Sequence, residues 1–122
     1  MSATGIVVKR VAGAVGAEIS NVDLATCRSE EVHAEIRRAL DDHGVVFFRD
    51  QTLTSEQYAG FARHFGTPVV PTSDIIPALP GSSEIAEVRK EPGMTRNIGG
   101  SWHTDQAFRA RPSWGSAGRP GT

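Results

Sequence analysis

A chain of 122 residues with 39% hydrophobic and 22% charged residues has material for one ordinary globular core and not for two. A formal net charge of −1 and a pI near 6.4 exclude a broad basic surface, so nucleic acid is not an expected partner. The opening Met1-Ser2-Ala3-Thr4-Gly5 lacks a signal-peptide pattern, no apolar run reaches the roughly eighteen residues of a membrane span, and Cys27 has no CxxC partner, so a cytoplasmic chain with no membrane segment is expected.

Residues 6–11, Ile-Val-Val-Lys-Arg-Val, and then Ala17-Glu18-Ile19 favour extended structure and are broken by Gly13 and Gly16, which predicts a strand pair or a bent strand. From Ser29 the period changes. Val32, Ile36, Ala39 and Leu40 recur at spacings of three and four, with charged residues between them, which predicts an amphipathic helix. Ser29 is placed to cap its start, Glu30 and Glu31 suit the positive end of the helix dipole, and Gly44 supplies a stop. Val45-Val46-Phe47-Phe48 then reads as a short strand apolar on both faces, central in a sheet and covered on each side.

Thr54-Ser55-Glu56-Gln57 matches a capping box, and Tyr58, Phe61, Ala62 and Phe65 follow at helical spacing, so a second helix is expected to run to Gly66. Pro68, Pro71, Pro77 and Pro80 predict a loop or extended crossing, residues 84–89 alternate like a strand, and the Gly-rich segment from Lys90 to Ser101 reads as a loop. The tail from residue 113 to 122 is expected to be irregular. Cys27 reads as a structural or surface thiol. His33, His43 and His64, on or beside the helices, read as structural or solvated.

Chemistry enters at Trp102-His103-Thr104-Asp105. In an extended segment His103 and Asp105 project to one face, so an imidazole and a carboxylate can converge on one ion. Those donors are two-thirds of the 2-His-1-carboxylate triad that holds Fe(II) and leaves positions open for substrate-derived ligands and O₂. Alone, HxD is a weak signal, since Asp or Thr there can equally form an Asx-type turn or a cap.

The surrounding residues narrow the choice. Gly16-Ala17-Glu18-Ile19 through Val22-Asp23-Leu24, His43 through Gln51, Phe61 through Phe65-Gly66 and then Trp102-His103-Thr104-Asp105 resemble, in order and spacing, the N-terminal part of the taurine dioxygenase (TauD/TfdA) family of Fe(II)/2-oxoglutarate dioxygenases. The resemblance implies an α+β chain, a partial double-stranded β-helix (jelly roll) with two flanking helices and an incomplete barrel. Residues 1–112 would form the N-terminal part of the dioxygenase domain and residues 113–122 an irregular tail.

Carried over residue by residue, His103 and Asp105 look like metal ligands, and Trp102 and Phe108 like supports for the strand and pocket wall. Asn97 is a candidate for a substrate-side contact, with a surface loop as the alternative. The implied cofactor is Fe(II), with 2-oxoglutarate as co-substrate, O₂ as oxidant and a small organic molecule as the hydroxylated substrate. Members that use taurine carry a His a few residues beyond the Phe-Gly turn, and Thr67-Pro68-Val69-Val70-Pro71 has none, which argues against taurine itself.

The family's second His ligand and the Arg that grips 2-oxoglutarate lie far downstream of the acidic ligand, and seventeen residues follow Asp105, so neither is expected here. The expectation is a truncated chain of uncertain activity that leans on a homo-oligomer or a partner chain, because unpaired strand edges invite association. The competing reading is a non-catalytic fragment with weak divalent-metal binding, or an association module.

Overall fold

A computed structural model of the chain describes residues 4–68, 85, 91–95, 101–103, 110–111 and 113–119. The chain divides into two compact units, Met1–Thr67 and Pro68–Thr122. Every helix and strand among the described residues lies in the first unit. The order is β1 (Val7–Arg10), β2 (Ala17–Ser20), α1 (Glu30–His43), β3 (Val46–Phe48) and α2 (Ser55–Arg63).

The strands form one sheet in the order β1-β2-β3. β1 and β2 are an antiparallel pair with Val8 opposite Ile19 and Arg10 opposite Ala17, as the two β-favouring segments predict. Gly16 closes the connection at φ +106°, where a Cβ would lie 3.3 Å from Val11 Cγ2, so close approach as well as conformation favours glycine. β2 and β3 run parallel, Ala17 opposite Val46 and Ile19 opposite Phe48, with α1 as the crossover that parallel neighbours require.

Helix α1 begins where the sequence places it. Ser29 is extended, and its Oγ accepts from the Val32 amide at 3.3 Å. Gly44, at φ +75°, ends it with its N–H donating to Leu40 O at 2.7 Å. The Gly16 amide then donates to His43 O at 2.8 Å, which ties the end of α1 to the start of β2.

The core lies between this helix and one face of the sheet: Ile6, Ile19, Leu24, Val32, Ile36 and Ala39 form its buried cluster. Val46, Phe48, Leu53, Phe61 and Phe65 pack around it half-buried. Burying Ile19 and Ile36, each 1% exposed, contributes about 1.5–3 kcal/mol apiece.

Two expectations are corrected. Among the described residues β3 stands at the end of the sheet rather than in its centre, and Phe47 is 49% exposed. The reason is that Phe47 shares the register of Glu18, on the sheet face turned away from Ala17, Ile19 and the core. Helix α2 has its capping box, with Gln57 N–H to Thr54 Oγ1 at 3.1 Å and Thr54 N–H to Gln57 Oε1 at 2.9 Å, but it stops at Arg63. The chain then tightens, Phe65 N–H bonding Ala62 O at 3.0 Å and Gly66 N–H bonding Arg63 O at 3.4 Å, a common way to satisfy the last carbonyls of a helix. The strand expected over residues 84–89 and the crossing over residues 69–80 lie outside the described residues, Ile85 excepted. Residues 113–119 carry neither helix nor strand.

Candidate functional site

Of the motif Trp102-His103-Thr104-Asp105, the first two residues are described, in the second unit; Thr104, Asp105, Phe108 and Asn97 lie outside. Ser101 and Trp102 form a bend rather than a strand, and Trp102, expected to brace a strand and pocket wall, is fully exposed. His103 is exposed as well, and its Nδ1 lies 2.7 Å from Ser101 O.

A carbonyl oxygen can only accept, so Nδ1 is the donor and carries the hydrogen. In the neutral ring the lone pair therefore sits on Nε2, the arrangement in which ligating histidines are commonly held, with the other ring nitrogen donating to a backbone carbonyl. An imidazole followed two positions later in the sequence by a carboxylate is a pair of donor types that suits Fe(II). Among the described residues no group of three His, Cys, Asp or Glu side chains gathers to hold an ion.

An open depression of about 550 Å³ in the first unit is lined by residues 18–23 and 49–51. It lies where β2 and β3 end side by side. Asn21 (φ +64°) and Asp50 (φ +55°) turn the chain there in the left-handed region, which Asn and Asp tolerate better than most residues. Asn21 Nδ2 donates to Gly5 O at 2.6 Å. Gln51 is the organiser: its Oε1 accepts from the Leu24 amide at 2.9 Å, and its Nε2 donates to Val22 O at 2.9 Å and Arg49 O at 3.2 Å. The Arg49–Glu18 pair at 3.4 Å is solvated, with Arg49 75% exposed, so it contributes about 0–1 kcal/mol. His103 is not among the lining residues.

Reasoning from sequence missed two features. Gln51 reads as a polar strand end, and its partners 27 and 29 positions back leave no local signal. His33 reads as structural or solvated, and the first alternative holds, but the stack itself escaped the reading: His33 is 5% exposed and lies on His64 with ring centroids 3.6 Å apart. Here a signal did exist, since His33 precedes Ile36 by three and Leu40 by seven and so shares the apolar stripe. Cys27 is a free, half-buried thiol against the core cluster, consistent with a structural role.

Comparison with known proteins joins these pieces. The family model described as taurine catabolism dioxygenase TauD, TfdA family, matches residues 8–116. An alpha-ketoglutarate-dependent sulfate ester dioxygenase of Pseudomonas putida is 38% identical over 100 residues, 80% of this chain and 31% of that protein. An alkylsulfatase of Acinetobacter baylyi is 37% identical over 102 residues, 82% of this chain and 30% of that protein. A solved taurine dioxygenase from Burkholderia xenovorans superposes with a TM-score of 0.69 at 34% identity, over 89% of this chain and 38% of that one. The chain thus spans about a third of the length of the curated relatives it matches. With the family model running through both units and relatives more than a third identical over four-fifths of its length, the chain belongs to the TauD/TfdA dioxygenase family.

Proposed function

We propose that this chain supplies the N-terminal elements and two of the iron ligands, His103 and Asp105, of an Fe(II)/2-oxoglutarate-dependent dioxygenase that hydroxylates a small organic substrate. The observation that carries the reading is the family match extending through Trp102-His103-Thr104-Asp105, supported by the Nδ1 hydrogen bond of His103. The complete fold to which β1–β3, α1 and α2 would contribute is a jelly roll, with the remaining ligand and the 2-oxoglutarate anchor in the portion of the relatives that this chain does not span.

Bound iron would supply the activation of O₂ and the oxidative decarboxylation of 2-oxoglutarate to succinate and CO₂. The protein's part is positional. Ser101 O holds the His103 ring by its Nδ1–H, and Nε2 would be the nitrogen that binds the metal. Asp105 contributes a carboxylate oxygen and a negative charge, which favours a divalent cation. Asn97, in the Gly-rich segment before the motif, is the candidate for a substrate-side contact, with a surface loop as the alternative. Because the two relatives above are named for sulfate esters, an alkyl sulfate is the first substrate class to assay.

The test is anaerobic titration of the full chain with Fe(II) and 2-oxoglutarate, followed by admission of O₂ with an alkyl sulfate present. The expected result for this chain alone is saturable Fe(II) binding that is weakened in His103→Ala; the charge-transfer absorption of an iron-bound 2-oxo acid and formation of succinate are expected only with the portion of the relatives that carries the third ligand and the 2-oxoglutarate anchor also present. No Fe(II) binding would overturn the ligand assignment and leave the family membership standing.

A further inference from the structure

A buried imidazole joins the two helices of the first unit. His33 on α1 is 5% exposed, and its Nδ1 donates to Ser29 O at 2.7 Å. His64, the C-cap of α2, lies flat over the same ring, centroids 3.6 Å apart and planes 14° from parallel. Phe61 and Phe65 close the other sides at 6.0 and 6.3 Å, so one turn of α2 and the bend after it enclose His33 in rings. His33 is thus interior while His64, its cover, is exposed to solvent and can take up a proton from it.

We propose that the stacked His33–His64 pair is an acid-released latch that holds the end of α2, residues 63–66, onto α1. Burial against α1 disfavours the charged form of His64 first, and the His33 ring beneath it acts in the same direction. Of the charged groups facing it, Glu30 at the start of α1 favours the cation, and Arg28 just ahead of that helix opposes it. The C-terminal end of α2 also favours a cation, yet the net direction is downward from the ordinary 6.5.

The sign follows from linkage. The closed form binds the His64 proton less readily than the opened form, so the latch contributes fully above about 6.5 and weakens as pH falls below that value. One linked proton limits the response to about tenfold per pH unit, and the exposure of His64 brings it below that limit.

The experiment is amide hydrogen exchange of the full chain, read at Phe65 and Gly66 and corrected for intrinsic exchange. Between about pH 7.5 and about pH 5.5 the opening equilibrium there should rise, by up to about tenfold for one linked proton, while His64→Phe, which keeps a ring over His33 but cannot titrate, should remove most of that rise. An opening equilibrium independent of pH, or an equal rise in His64→Phe, would overturn the latch. A second measurement needs no variant: the His64 ring signal followed by NMR should titrate below 6.5, and a midpoint at or above that value would also overturn it.

Discussion

Gln51 shows how much one side chain can organise. It meets the Leu24 amide, Val22 O and Arg49 O, and so joins the end of β3 to the segment leaving β2. Gln51→Ala would strand partly buried backbone groups and should cost about 1–3 kcal/mol, read as a lower urea midpoint with an unchanged slope. His103→Ala should weaken Fe(II) binding by about tenfold or more in an anaerobic titration, since removing a ligand should cost at least as much as removing a group that orients one. An equal affinity in that variant would remove His103 from the ligand set. At this scale legibility divides cleanly. His103 and Asp105 stand out as candidate ligands because residue type and spacing are visible in the sequence, whereas the role of Gln51 depends on backbone groups distant in sequence and brought close only by the fold.

Helix ends were the most legible elements, because capping is local chemistry between residues three or four apart. Ser29 with Val32, and Thr54 with Gln57, occupy the positions their side chains announce. Thr54→Ala should therefore cost about 1 kcal/mol and fray the first turn of α2, visible as faster exchange of the Gln57 amide. Gly44→Ala meets a different obstacle: the added Cβ has 3.5 Å to Val15 Cγ1, an ordinary contact, but φ is +75°. The strain of a left-handed alanine should lower stability by about 1–2 kcal/mol in thermal or urea unfolding. β3 was legible as a strand and not as to its place. Four consecutive apolar residues look buried on both sides, but whether a second layer covers Val45 and Phe47 is a property of the sheet's neighbours, which local pattern does not encode.

At the scale of the molecule, stability in the first unit rests on a small core, so single truncations there should be felt throughout. Ile36, 1% exposed within the cluster around Ile19 and Val32, is a position where a cavity would be costly; Ile36→Ala should remove about 2–5 kcal/mol, a large fraction of the stability of a small domain. An Ile36→Ala protein that unfolds at the same urea concentration as the parent would show that this cluster is not the core in solution. The element order β1-β2-α1-β3-α2 was readable from period and punctuation, while the pairing of β2 with β3 was not, because parallel partners are chosen by the crossover between them. That crossover also sets a schedule. The β1–β2 hairpin needs only the short Gly-containing turn between its strands and can close in about 1–10 μs, but β3 has no partner until α1 has formed and brought Val46 beside Ala17. Until α1 has docked, the edge of β2 that β3 will occupy stays open, and that interval is when this chain is most vulnerable to pairing with the wrong strand.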